Sequence, residues 1–251
     1  MIVITADDYG KSRKATDSIL KCYKEKRITS ASAMVFMEDS ARAAELSMET
    51  ELEIGLHLNF TLPFNAAGLS PKLQEHHNKV VSYLSNHVLS QVIYNPLLIN
   101  SFHFLFQSQL EQFVYLYGRY PDFYNGHHHM HLCANVLLSK MIPNGSRMRR
   151  TFTFDPGEKD LINRLYRRAL DALITRKYIT TDSFFSILPI YDYHRLQYIF
   201  NRALQGNVEI EVHPENTEEI EFILSDSFKH LIASVICDNF KKVRFPFKIR
   251  S

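Results

Sequence analysis

The chain has 251 residues, 45% hydrophobic and 22% charged, with a formal charge of +2. That length suits one large domain, since a (β/α) barrel of about 250 residues closes around a single core and needs no disulfides to do so. The near-neutral charge does not support a nucleic-acid binder, for which a strongly basic face is expected. Three scattered cysteines, Cys22, Cys133 and Cys237, exclude a disulfide framework and a C-x-x-C zinc knuckle.

The opening MIVITADDYG interrupts its apolar run with acid where a secretory signal would continue, so a cytoplasmic location is expected. Residues 2–5 predict a strand. Residues 12–26 place Ala15, Ile19, Cys22 and Tyr23 at helical spacing, with Ser12 as N-cap. A strand over 29–36, a helix over 40–48 and a strand over 52–60 follow. This β-α-β-α-β order predicts a parallel sheet with crossover helices. The pattern weakens over 63–101, read as a long excursion, helical in part, inserted into a single domain over 1–251. His76 and His77 are expected in a polar loop there, without a functional role. The most apolar stretch, 92–106, is interrupted by Asn95, Pro96, Asn100 and His103, too often for a membrane span. Further on come a strand over 122–129, a helix over 158–177 with Leu161, Leu165 and Leu173 as its apolar stripe, and a strand over 178–187. A helix over 194–204 and a strand over 208–212 complete the pattern, which fits an open sheet and a barrel alike. The basic runs at 147–150 and 167–168 read as solvated faces.

Four places could carry chemistry. Asp7 and Asp8 follow the first strand directly. In parallel α/β folds the strand C-terminal ends gather the active residues, and adjacent carboxylates there can divide metal binding from base catalysis. The same DDYG is also a good turn sequence. In EIGLHLNF, alternation sets Gly55, His57 and Asn59 opposite Ile54, Leu56, Leu58 and Phe60, with His57 either a core residue or part of a polar rim. NGHHHMH, residues 125–131, holds four of the chain's 12 histidines. On an extended strand His127, His129 and His131 share a face and His128 opposes them. Imidazoles suit transition metals and carboxylates suit magnesium. One or two of these four could be ligands, with the others supporting them or touching substrate. Finally, His213 in VEIEVHPEN follows a strand, with Glu215 and Asn216 placed to orient it. An Asp and two His at converging strand ends would hold a catalytic metal.

These motifs together resemble the YdjC-like family, the carbohydrate deacetylases that include the chitooligosaccharide deacetylase. ADDYG matches the family's opening D-D-F/Y-G, and GLHLNFT its G-x-H-x-x-L/F-T element. NGHHHMH approximates D-S-H-H-x-V-H, and Val212-His213-Pro214 gives the late H-P. Arg27-Ile28-Thr29-Ser30 and ITTDSFF approximate further segments, so the match runs from Ile2 to about Leu224. The resemblance implies a somewhat irregular TIM-like (β/α) barrel with its site at the strand C-terminal ends. It implies a divalent metal, Mg²⁺ by usual assignment with Zn²⁺ as the other candidate, held by Asp8, His57 and His127. Asp7 is then the base, and the substrate an N-acetylated sugar or oligosaccharide losing acetate. The leaving amine needs an acid, for which His213 is the candidate and His131 the fallback. His129, His131, Asn59 and Arg149 are the expected substrate or supporting contacts. Asn125-Gly126 departs from the family's Asp-Ser, removing a negative group beside the histidines. The expected partner is a small-molecule carbohydrate, with no nucleic acid or membrane, and a homodimer is the assembly to test. The competing functions are another metal-dependent hydrolase, such as a phosphoesterase, and a catalytically inactive sugar-binding barrel.

Overall fold

The structure, a computed structural model, describes residues 1–86, 88–154 and 158–243; His87, within the expected excursion, lies outside them. In chain order the elements are β1 (Ile2–Tyr9), α1 (Arg13–Lys24), β2 (Ser30–Ala33), α2 (Ser40–Ser47), β3 (Glu53–Leu58), α3 (Pro71–Asn86), α4 (Ile99–Tyr117), β4 (Tyr124–Gly126) and α5 (Ala134–Leu138). They continue with α6 (Leu161–Ile174), β5 (Ser183–Ser186), α7 (Tyr193–Arg202), β6 (Val208–Val212), α8 (Thr217–Leu224) and α9 (Asp226–Ala233). The strands join in the order β4-β3-β2-β1-β6-β5. The β1–β6, β3–β4 and β5–β6 ladders are parallel, as the alternation of strands and helices predicts. Among the described residues, no helix is long and apolar enough to cross a membrane.

The chain divides into two compact units that share β1 and α1. The first holds Met1–Ala6, Ser18–Ser30 and the described residues from Asn144 onward. Here β6 lies between the start of β1 and β5, with Ile2 opposite Val208 and Ser183 opposite Val208 on the other side. Val208, Ile210 and Val212 are buried on one face of β6, and Glu209 and Glu211 are buried on the other. Two buried carboxylates on one strand demand a cation, and Arg149 supplies it. Its Nε donates to Glu209 at 2.7 Å and an Nη to Glu211 at 3.2 Å, over the Phe184 ring. The basic run 147–150 is therefore not a solvated face. The helix expected over 158–177 forms, but its leucine stripe does not face a core: Leu161, Leu165 and Leu173 are 65%, 52% and 53% exposed.

The second unit holds Asp7–Asp17 and Ala31–Pro143. Ser12 caps α1 as expected, its Oγ accepting from Ala15 N at 3.1 Å. The 63–101 excursion is mostly helix. On α3, Leu73, His77, Val80 and Leu84 recur at 3–4-residue spacing and are buried. On α4, Phe102, Leu105, Phe106, Gln109 and Phe113 do the same, until Gly118 ends the helix with a left-handed φ of 66°. His76 and His77 thus sit on a helix, not in a polar loop. The His77 ring stacks on Phe64, with centroids 3.8 Å apart.

Burial pushes the His77 pKa down to about 4 from 6.5. As pH falls, the unfolded chain therefore takes up this proton before the folded one does. Stability is lost between pH 6.5 and 4 and is unaffected by this group above that window, a loss of roughly 3 kcal/mol. His77→Phe keeps the ring contact and should flatten that part of the stability profile. Denaturation midpoints of the two proteins measured across the window check this, and parallel profiles would contradict it.

Candidate metal centre

All of the ligands that the family resemblance implies lie in the second unit. β1 delivers Asp7 and Asp8, and Asp8 takes a left-handed φ of 70°. That conformation is rare outside glycine but tolerated by Asp. Lys11 folds back, its N–H donating to Asp8 O at 3.1 Å and its Nζ pairing with Asp8 Oδ2 at 2.9 Å. The other oxygen, Oδ1, is turned inward. It lies 3.4 Å from His57 Nε2 and 3.3 Å from His127 Nδ1. The ligating atoms of Asp8, His57 and His127 all fall within 4.8 Å of one another.

The donor set fits a divalent ion. Asp8 Oδ1 and His57 Nε2 are buried and have no hydrogen-bond partner among the described residues, a costly state unless something else engages them. Separations of 3.3 and 3.4 Å are those of two ligands sharing an ion at about 2.0–2.2 Å. Burial works against the Asp8 carboxylate, yet His127 and His57 hold its pKa well below the usual range. Burial likewise opposes a charge on His57, but Asp7 and then Asp8 outweigh it and raise the pKa. The pocket therefore attracts positive charge, which a proton or a metal can supply.

A ring of hydrogen bonds fixes how His57 presents itself. Ser32 Oγ donates to Asp7 Oδ1 at 2.7 Å and lies 3.1 Å from His57 Nδ1. Asn125 Nδ2 donates to Asp7 Oδ1 at 3.1 Å, and Asn125 Oδ1 lies 2.8 Å from His57 Nδ1. An ionised carboxylate only accepts, so the amide must turn its NH₂ toward Asp7 and its oxygen toward His57. That oxygen calls for an N–H at His57 Nδ1, which leaves the Nε2 lone pair facing Asp8. Asn125 thus orients the histidine as a neutral group. A carboxylate in its place could accept from His57, but it would set a like charge against Asp7 and lose the N–H donor.

This ring also reports curvature. Three strand spacings separate β1 from β4, about 14 Å on a flat sheet. Side chains as short as Asp7 and Asn125 meet across it only if the strands of this unit curl toward one another.

The histidine cluster is not an extended strand. β4 stops at Gly126, and residues His127–Leu132 form a 3-10 turn in which His128 and His129 take left-handed φ values of 51° and 59°. His127, His129 and His131 therefore do not share a strand face. Only His127 reaches the ligand group. His131 is fully buried, His129 partly buried, and exposed His128 stacks on His127 with Nδ1 3.3 Å from Thr61 Oγ1. Gly126 permits the turn through space rather than conformation, since a Cβ there would lie 2.9 Å from His131 N. The serine that the family carries here would not fit this turn without a shift. Gly55 is equally constrained, because the Phe123 ring lies 2.4 Å from where its Cβ would be.

The remaining expected residues have other surroundings. Asn59 is fully buried and closes the turn after β3, accepting from Thr61 N and Leu62 N and donating to Leu62 O. Arg149 belongs to the first unit and its carboxylate pair. His213, also in the first unit, follows β6 with its side chain 38% exposed and Nδ1 3.8 Å from Glu219 Oε1. Glu219, from α8, accepts from the His213 backbone N–H at 2.7 Å. Asn216, expected to orient His213, instead caps α8 by accepting from Glu218 N. Ser32 and Glu219 were invisible as site residues in the sequence. The only hint of Ser32 is its alternation with Ser30 in an otherwise small, buried strand.

Comparisons with known proteins agree with the sequence resemblance. The chain is 30% identical over 142 residues to the chitooligosaccharide deacetylase of Proteus mirabilis (strain HI4320), and 29% identical over 137 residues to that of Serratia marcescens. Each match covers 54% of this chain and 52% of the relative, so the chain aligns with about half the length of these curated proteins. Among solved structures, it resembles a candidate cellobiose-phosphate cleavage protein of Enterococcus faecalis V583. The TM-score is 0.66 at 17% identity, covering 96% of this chain and 97% of that one, a likeness of fold. The family model described as YdjC-like protein matches residues 1–234, and the chain belongs to that family.

Proposed function

We propose that the protein is a metal-dependent carbohydrate deacetylase that hydrolyses an N-acetyl group on a sugar or oligosaccharide. The observation that carries this is the grouping of Asp8, His57 and His127 beside Asp7, in a family whose curated relatives are named for that activity. The sheet is read as an irregular (β/α) barrel, a reading supported by the curl that brings Asn125 to Asp7.

Asp8, His57 and His127 would hold the ion. A divalent ion there supplies Lewis acidity to the acetyl carbonyl and to the attacking water. Two imidazoles and one carboxylate suit Zn²⁺ better than Mg²⁺, so zinc is the first ion to try and magnesium, implied by the resemblance, the second. Asp7, steadied by Ser32 and Asn125, accepts the proton of the attacking water. The departing amine needs a proton, for which His213 stays the candidate acid and His131 the fallback, and acetate is the second product. His129 keeps the role of a substrate contact, while fully buried His131, Asn59 and Arg149 act as supports for the turn, backbone and core.

Asn125→Ala removes the acceptor that fixes the His57 tautomer. Metal affinity should fall about 10–100-fold, read by competition with a chelator, while Asn125→Asp recovers part of it. Unchanged affinity in Asn125→Ala would remove Asn125 from the site. The function itself is tested by acetate release from a panel of N-acetylated mono- and oligosaccharides with zinc, magnesium or chelator present. Metal-dependent acetate release is expected. Phosphate release from simple esters without acetate would favour a phosphoesterase, and sugar binding with neither metal nor turnover an inactive barrel.

A further inference from the structure

Helix α6 lines a surface cavity with an unexpected face. Its leucines are exposed, whereas Arg164, Arg167, Arg168 and Asp171 fall at i, i+3, i+4 and i+7, the spacing of one helical stripe. That stripe lines a cavity of about 260 Å³ within the first unit. Arg150, Asp182 and Arg202 form the facing wall, with Phe152 and Phe154 beside them. Five arginines thus meet two aspartates, an excess of three positive charges among the lining residues (5 − 2 = 3).

Both aspartates are already engaged. Asp171 is bound by Arg150 at 2.6 Å. Asp182 accepts from Asn207 N at 2.7 Å, and only its backbone oxygen is used by Arg150. The other arginines that make contacts have neutral partners. Arg167 donates to Asn163 Oδ1 and lies over the Phe154 ring, and Arg202 bonds Ser183 Oγ and Tyr198 Oη. Arg164 and Arg168 form no side-chain hydrogen bond or ion pair among the described residues. Arg150 Nε is buried without a hydrogen-bond partner among the described residues. Burial lowers the Arg167 pKa from its ordinary value, so a guanidinium held there gains from a counter-charge.

We propose that this cavity binds a phosphate-class dianion, either inorganic phosphate or the phosphoryl group of a small phosphate ester. Guanidinium forks match the paired oxygens of a phosphoryl group. A volume of about 260 Å³ lies just under the roughly 300–1,000 Å³ of typical ligand pockets, which suits a phosphoryl head with a small attached group and not an oligosaccharide. Two of its lining residues sit at the start of the strands: Arg202 bonds Ser183, the first residue of β5, and Asp182 accepts from Asn207 N just before β6, whereas His213 follows the opposite end of β6. Catalytic groups of parallel α/β folds gather at that C-terminal end.

The test is calorimetric titration of the full chain with inorganic phosphate and with glucose 6-phosphate, at ionic strength matched with chloride. Phosphate should bind with a stoichiometry of one. The Arg164→Ala, Arg168→Ala double variant should weaken it about tenfold or more, with Arg167→Ala as an independent second variant. Asp8→Ala, which dismantles the candidate metal centre, should bind phosphate as the parent does. Tighter binding of glucose 6-phosphate identifies an ester as the ligand, and equal binding identifies free phosphate. Absence of binding in matched chloride, unchanged affinity in both arginine variants, or loss of binding in Asp8→Ala would overturn the proposal.

Discussion

Asp7→Asn is expected to lower acetate release about a hundred- to ten-thousand-fold while leaving metal affinity near that of the parent. The substitution is nearly isosteric. An amide oxygen at this position can still accept from Ser32 Oγ and Asn125 Nδ2, now at 2.7 and 3.1 Å from Asp7 Oδ1, so the ring that orients His57 persists. What is lost is the capacity to take a proton from water at neutral pH. The two readouts separate base from ligand: turnover collapses and the ion stays. Acetate release at the parental rate would remove Asp7 from the chemistry. Loss of metal together with turnover would place it among the ligands, contrary to the assignment of Asp8.

Arg149→Ala should produce the largest loss of stability, about 3–5 kcal/mol. Arg149, Glu209 and Glu211 are buried together, with Arg149 and Glu209 fully inaccessible. Truncation removes the cation and leaves two carboxylates in the interior of the first unit. Much of the effect is that stranded charge rather than the intrinsic strength of the pair. Replacing all three residues with apolar side chains of similar volume should therefore restore most of the loss. Urea midpoints of the single and triple variants measure it. A single variant that unfolds with the parent would show that the ion pair is not needed for the fold.

Local rules made parts of this architecture readable in advance. β6 could be placed at 208–212 because its alternation is complete, and the α1 start followed from Ser12 and the Ala15, Ile19, Cys22 spacing. Helix α6 was readable as a helix but not in its facing. Its sequence carries a leucine stripe and an arginine stripe of the same period, and periodicity alone cannot say which one lines a cavity. The histidine turn failed for a different reason. Nothing in HHHMH requires two left-handed residues, and the packing of His131 against Gly126 that accompanies them leaves no mark in the periodicity. Arg149 looked solvated because its partners lie about 60 residues away on β6. Asn125 stood out as a departure from the family motif, and the structure gives that departure a use: one neutral amide serves Asp7 and His57 at once.

The proposed deacetylation depends on an ion held by Asp8, His57 and His127. Its most direct test is a titration of metal-stripped protein with zinc, recording bound metal and acetate release from an N-acetylated oligosaccharide in the same samples. Acetate release should rise with occupancy and saturate at one ion per chain, with both binding and release lost in His57→Ala. Full acetate release from the stripped protein, or undiminished metal binding in His57→Ala, would contradict it.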